Sequence, residues 1–241
     1  MSGQRVRPSL DLEGQLAAQG CTYIVGLDEV GRGALAGPVM VGAAAIPAKS
    51  VSDLVVPAGL ADSKMLSATK RESMVESLKA WSAAWAVGAA SNQEIDEWGI
   101  VPALGLAALR ALQRVEEQLA VRAESPDEGR KPVLAAILDG PHDYISPAAN
   151  TLNAPALSVL PRVTTQIKAD ASCASVACAS VIAKVTRDRL MVELAGSDPA
   201  LVPYDWAHNK GYGSPQHLAA IEELGPTAYH RVSWHLTSSR S

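Results

Sequence analysis

The stretch TYIVGLDEVGRGALAGPVMV, Thr22 to Val41, decides how the rest of the chain reads. An apolar run, Tyr23 to Leu27, meets two adjacent acids, Asp28 and Glu29. A turn with Gly31, Arg32 and Gly33 follows, and a second apolar run, Val39 to Ile46, comes after it. Two such runs about a glycine-bearing turn predict an antiparallel pair of strands. Acids at the end of a buried strand are costly unless they are solvated, paired or bound to a metal. Successive side chains of a strand point to opposite faces, so Asp28 and Glu29 can share a site only if the strand finishes there. Glycine has no Cβ and accepts positive φ, so the Gly31-Arg32-Gly33 backbone can approach a ligand closely. The plain alternative is a hairpin whose charged turn faces solvent.

Outward from the hairpin, strand and helix patterns alternate. Residues 1–8 read as a loose tail, and Leu10, Leu12 and Leu16 as a short helix closing near Gly20. After the hairpin come a loop over 47–63, ending in Asp62-Ser63-Lys64, and a helix from Ser67 to Trp81 with capping-box spacing at Thr69 and Glu72. A strand follows from Trp85 to Ala90, then a short helix from Asn92 to Trp98 and a long helix entered through Pro102. A charged surface loop is predicted over 123–132. Val133 to Leu138 is a buried strand that ends in Asp139. A loop covers 141–156, a short strand Leu157 to Leu160, and an edge-like segment Val163 to Lys168. Asp170 precedes a small-residue helix from Ala171 to about Leu194. A polar loop over 196–214 carries Asn209-Lys210-Gly211-Tyr212-Gly213, and a last helix starts at Pro215 and stops before Gly225-Pro226. The tail from Ser238 is expected to be mobile.

This alternation predicts an α/β fold, a central mixed β-sheet flanked by helices. No repeat or linker divides the chain, so 1–241 is expected to be a single domain. Residues 1–20 would form its N-terminal tail and short helix, and 196–241 a small C-terminal helical extension.

The core must be aliphatic, since the chain has no Phe while 48% of it is hydrophobic. Net charge is −4, which excludes a generally basic nucleic-acid binder but not a local patch that steers a polyanion. Cys21, Cys173 and Cys178 suit neither a disulfide framework nor a zinc site. The N-terminus shows no signal-peptide core, and no apolar run approaches the roughly 20 residues of a membrane span. A soluble cytoplasmic protein is the expectation.

Carboxylates stand where apolar elements end or begin at Asp28-Glu29, Asp139 and Asp170. In open α/β sheets ligands gather beyond the carboxyl ends of strands. Four acids in one cleft repel one another unless cations are present. An all-oxygen donor set selects Mg²⁺ or Mn²⁺ over zinc, and a pair of such ions can drive in-line phosphoryl displacement. Arg32, Lys64, Lys168, Lys184, Arg187 and Lys210 offer cations for a polyanion; Lys184 and Arg187 lie at i, i+3 on one helix. Tyr212, between two glycines, presents a ring suited to stacking on a sugar or base. Taken singly, each of these has a bland alternative: a helix cap for Asp170, a solvated cation for each basic side chain, a turn anchor for Tyr212. His142, His208, His217, His230 and His235 share no ligand spacing, and no Ser-His-Asp or dinucleotide fingerprint is present.

GLDEVGRGALAGPV (26–39), ADSKMLS (61–67), ILDG (137–140), KADASCASVACASVIAKVTRDRLM (168–191), NKGYGS (209–214) and HRVSW (230–234) together resemble bacterial ribonuclease HII, the type 2 ribonuclease H. The resemblance implies the ribonuclease H-like fold and cleavage of the RNA strand of RNA–DNA hybrids. It also implies nicking 5′ of single ribonucleotides in duplex DNA, leaving 3′-hydroxyl and 5′-phosphate ends, in ribonucleotide removal and primer processing. It assigns Asp28, Glu29, Asp139 and Asp170 as catalytic, metal-binding acids of a two-metal Mg²⁺ or Mn²⁺ site. Gly31, Arg32 and Gly33 would read the 2′-hydroxyl, Tyr212 would stack at the RNA–DNA junction, and Lys64 would contact phosphate. The substrates would be RNA–DNA hybrid and ribonucleotide-containing duplex DNA. The protein is expected to be monomeric, with no membrane partner and no readable clamp-binding peptide. Met65 and Ala169 depart from the family pattern, where a polar residue and a glycine are usual. The sibling ribonuclease HIII fits less well, because its fourth acid is usually Glu. A non-catalytic hybrid-binding module and a small-molecule metal phosphohydrolase are the rivals from other classes.

Overall fold

The computed structural model describes residues 7–122, 133–234 and 236. The expectations for residues 1–6, for the 123–132 loop and for the tail from 238 lie outside them. Five strands are described: β1 (Tyr23–Val30), β2 (Val39–Pro47), β3 (Ala84–Ala90), β4 (Leu134–Asp139) and β5 (Arg162–Gln166). They form one mixed sheet in the order β3-β2-β1-β4-β5. The β1–β2 and β2–β3 pairs are antiparallel, while β4 joins β1, and β5 joins β4, in parallel. The helices are α1 (Asp11–Ala17), α2 (Ala68–Trp81), α3 (Asn92–Trp98), α4 (Ile100–Arg122), α5 (Ile145–Ala148), α6 (Ala169–Ser172), α7 (Ala174–Ser197), α8 (Trp206–Asn209) and α9 (Pro215–Leu224).

Strand periodicity sorts β1 between two cores. Val25 and Leu27 pack in a cluster with Leu104, Ala108 and Leu112 of α4. Ile24 packs on the other face with Val176 of α7 and with Leu16 and Cys21 near α1. The small residues of α7 let its backbone lie almost on the sheet. A Cβ added at Gly26 would fall 2.2 Å from the Ser175 carbonyl carbon, so only glycine allows this approach.

Several segments differ from the sequence expectations. β1 does not end at its acids: it runs through them to Val30, with Asp28 opposite Gly42 and Glu29 opposite Val41. No strand forms over 157–160, because the amides of Ser158 and Val159 donate to the Glu116 carboxylate rather than to a ladder. The small-residue helix starts at Ala169 and breaks at Cys173, whose φ and ψ are extended. Segment 9–13 splices that break: Ser9 N–H donates to Ser172 O, Ala174 N–H to Ser9 O, and Ser175 N–H to the buried Glu13 carboxylate. The expected loop over 196–214 holds a 3₁₀ segment, Pro199–Tyr204, as well as α8, and α5 interrupts the loop over 141–156. The C-terminal elements pack on the far end of α7 through Met191, Leu201, Tyr204, Trp206 and Ile221. Among the described residues, no helix is long and apolar enough to cross a membrane.

Candidate active site

β1 and β4 run parallel, so Asp28 and Asp139 rise at the same end of the sheet; β1 reaches past its last β4 pair, Leu27–Leu138, carrying Asp28 and Glu29 beyond it. Asp28, on the α7 face, is 6% exposed. Burial pushes its carboxyl well above the ordinary range. The neighbouring Ser180 hydroxyl of α7, which donates to Ser63 Oγ at 2.8 Å, opposes this, and the charges of Asp139, Glu29 and Asp170 add to the rise. Glu29 points to the opposite face, where it accepts from Arg32 Nη1 at 3.3 Å and from the Tyr144 hydroxyl at 3.4 Å. Burial, then the charges of Glu29 and Asp28, drive the Tyr144 pKa well up, so the phenol stays a donor. Asp139 Oδ1 accepts the Ala169 N–H at 2.7 Å, which ties the end of β4 to the first turn of α6.

Asp170 follows in that turn, and its pKa is pushed up to about 6 by burial, by Asp139 and by Asp62. Lys64 Nζ lies 3.7 Å from Asp170 Oδ2. Burial works to lower the Lys64 pKa, but the combined pull of Asp170, Asp28, Asp62 and Asp139 outweighs it and raises the ammonium. A cavity of about 1020 Å³ opens beside these groups, lined by Asp139, Asp170, Lys64, Lys168, Met65 and Ile167 among others. The four acids thus feel one another's charge. Among the described residues, however, no three carboxylate, imidazole or thiol side chains converge tightly enough to ligate an ion as they stand. The donor set is nonetheless of the right kind for a hard divalent cation: all oxygen, mutually repelling, and partly withdrawn from water.

The glycine turn is held from behind. Gly31 has φ of +81°, and an added Cβ would meet the Arg187 guanidinium at 2.1 Å, so a side chain there is both strained and excluded. Gly31 N–H donates to the Tyr212 hydroxyl at 3.1 Å. Arg231 donates to the carbonyls of Gly31, Arg32 and Gly37, and Arg187 to those of Pro38, Lys210 and Ala36. Both arginines are fully buried. The expected substrate contact from Arg187 is therefore corrected: its donors are spent on loop carbonyls. Its guanidinium carbon sits 5.3 Å from the Tyr212 ring centroid, and Lys184 Nζ sits 5.8 Å from it. Lys184 also pairs with Asp188 at 2.7 Å, one turn on. Lys168 is exposed in a left-handed conformation just before α6.

The sequence reading missed Asp62 as a fifth acid, Tyr144 as the partner of Glu29, Ser180 as the hydroxyl beside Asp28, and Arg231 as the clamp on the turn. Asp62-Ser63-Lys64 and HRVSW (230–234) stood out as segments, but nothing local in them tells which carbonyl or carboxylate each side chain meets.

Against known proteins, a family profile described as Ribonuclease HII matches residues 25–237. A ribonuclease HII of Streptomyces griseus subsp. griseus is 47% identical over 218 residues, covering 90% of this chain and 79% of that protein. A ribonuclease HII of Paracoccus denitrificans is 37% identical over 230 residues, covering 94% and 91%. The crystal structure of the ribonuclease H2 from Pyrococcus horikoshii OT3 matches with a TM-score of 0.59 at 26% identity, covering 89% of this chain and 94% of that one. The mixed sheet that carries the acids is thus a ribonuclease H-like fold, and the chain belongs to the ribonuclease HII family and is a ribonuclease H hydrolase.

Proposed function

We propose that, within the ribonuclease H activity on RNA–DNA hybrids that family membership carries, this enzyme also nicks 5′ of single ribonucleotides in duplex DNA by a divalent-metal mechanism. The observation that carries the reading is the bond from Gly31 N–H to the Tyr212 hydroxyl, which ties that ring to the turn two residues beyond Glu29. Asp28, Glu29, Asp139 and Asp170 would hold Mg²⁺ or Mn²⁺. A pair of such ions, when bound, activates a water and neutralises charge on the scissile phosphate and leaving oxygen.

The chain's own residues do the rest. Glu29, braced by Tyr144 and Arg32, and Asp139, braced by the Ala169 amide, would present fixed oxygens to the cations. The backbone of Gly31, Arg32 and Gly33 would measure the 2′-hydroxyl, which DNA lacks. Tyr212 would stack on the sugar across the junction, and Lys64 and Lys168 would meet backbone phosphates. With Arg187 enclosed and Lys184 paired, substrate contact falls to these residues and Arg32.

The decisive assay compares wild type with Asp28→Asn on a duplex carrying one ribonucleotide and on an RNA-tract hybrid, each in Mg²⁺ and Mn²⁺. The variant is expected to lose at least about a hundredfold in rate, the scale of removing one group that stabilises charge at the reacting centre. Wild-type cleavage by Asp28→Asn would refute the assignment of the acids. Failure of the native enzyme to nick the single-ribonucleotide duplex would refute the nicking activity.

A further inference from the structure

Behind Tyr212 lies a buried pair of histidines that the chemistry above does not use. His217, in the first turn of α9, has no exposed surface, and His230 is 1% exposed. The two Nε2 atoms are 3.0 Å apart. His217 Nδ1 is 2.8 Å from the carbonyl oxygen of Tyr212, and His230 Nδ1 is 2.9 Å from the Thr227 backbone nitrogen.

These ends decide every proton between them. The Tyr212 carbonyl can only accept, so His217 Nδ1 carries a hydrogen and donates it. The Thr227 N–H can only donate, so His230 Nδ1 is bare and its hydrogen is on Nε2. His217 Nε2 then accepts from His230 Nε2–H and from the Trp206 indole N–H, 3.0 Å away. The two donors share the single lone pair of His217 Nε2, and a hydrogen placed there would face both of them, so both rings are neutral. Burial, reinforced for His230 by its neighbour His217, keeps them so: the His230 pKa is pushed down to about 4.

The chain of bonds leads from one half of the proposed substrate reader to the other. Arg231, next after His230, donates to the carbonyls of Gly31, Arg32 and Gly37. Its own N–H donates to Leu35 O, while Leu35 N–H donates to Gly211 O, next to Tyr212. The backbone of residues 211–212, the turn of residues 31–37 and residues 227–231 therefore form one closed circuit.

We infer that His217 and His230 are specificity-determining positioning residues: their imidazole chain sets the Tyr212 ring at a fixed distance from the Gly31 turn. The role rests on the reading of Tyr212 as the ring that meets the ribonucleotide–deoxyribonucleotide junction. Removing the His217 donor leaves the Tyr212 carbonyl held only by the Ser214 N–H at 2.8 Å and lets the ring shift. The expected loss is in the preference for a single-ribonucleotide duplex over an RNA-tract hybrid, read as the ratio of the two kcat/KM values.

The test is a double-mutant cycle on that ratio in the full-length enzyme, using His217→Phe, Tyr212→Ala and the pair together. Each single variant is expected to lower the ratio about tenfold, the scale of one buried hydrogen bond. The pair is expected to lower it no further than Tyr212→Ala alone, because His217 acts through Tyr212. If Tyr212→Ala leaves the ratio unchanged, the reading of Tyr212 falls and this inference with it. If Tyr212→Ala lowers the ratio while His217→Phe does not, or if the two losses multiply, only the positioning role falls. Nitrogen NMR of ¹⁵N-histidine-labelled wild type supplies an independent check, valid even if His217→Phe does not fold. It should show His217 protonated on Nδ1 alone and His230 on Nε2 alone at neutral pH; any other assignment overturns the chain.

Discussion

At the scale of single residues, the acids are prepared for a cation rather than for water. Asp170 is raised to about 6 and Asp28 further than its ordinary range, both by burial first and by the neighbouring carboxylates second. A folded pKa above the unfolded one means that the metal-free protein gains stability by holding the proton. That contribution is whole below about pH 4 and is lost as pH rises through about 6. A divalent cation must displace those protons, so its binding should weaken as pH falls from 8 to 5 and should release protons. Calorimetric titration of Mn²⁺ in two buffers of different ionisation enthalpy measures that release; zero protons taken up by buffer at pH 6 would contradict it. The sequence already marked Asp28, Asp139 and Asp170 as acids bordering apolar runs. It could not show that Asp62 adds a fifth charge, because Asp62 lies in a loop 77 positions before Asp139 and nothing in its own neighbourhood marks it.

At the scale of elements, α7 sets the site by lying flush on β1. Gly26 permits this, and Gly26→Ala would press a methyl into the Ser175 carbonyl carbon at 2.2 Å. The helix must then lift, at a cost of about 1–3 kcal/mol. Ser180, and with it the support of Asp28, would lift too. Urea unfolding should show the loss of stability, and activity should fall along with it; unchanged stability would mean that α7 is not seated as described. The C-terminal elements answer to a different group. His230 has a folded pKa of about 4, below its ordinary 6.5. Its contribution is therefore present above pH 6.5 and is lost as pH falls through 4, opposite in sign to that of Asp170. Over that window, amide protection in α8 and α9 should fall before protection in β1 and β4. Hydrogen exchange by mass spectrometry reads the order, and simultaneous loss would argue against it.

At the scale of the whole molecule, an enzyme with net charge −4 acts on a polyanion. Attraction has to come from local cations and bound metal, since the overall field is repulsive. Arg32 and Lys64 are largely exposed around the site, and Lys168 is exposed beside it. Binding of Asp28→Asn to a hybrid, followed by fluorescence anisotropy, should therefore weaken with salt at a log–log slope of about −3, roughly one counterion per phosphate met. A slope near zero would remove these cations from the interface.

What the sequence by itself determined is most of the strands and helices, the mixed sheet, and the acids that border its apolar runs. Those features follow from local periodicity and from the cost of leaving a charge in an apolar strand. Tertiary structure alone decided that β1 carries Asp28 and Glu29 through to Val30, one to each face, and that Glu116 takes the amides of a stretch read as a strand. It also decided that Arg187 grips carbonyls and that His217 and His230, 13 positions apart, share a hydrogen bond. Each of these is a pairing between a side chain and a group distant in sequence, and nothing in the spacing of residues along a chain specifies which donor will meet which acceptor once the elements pack.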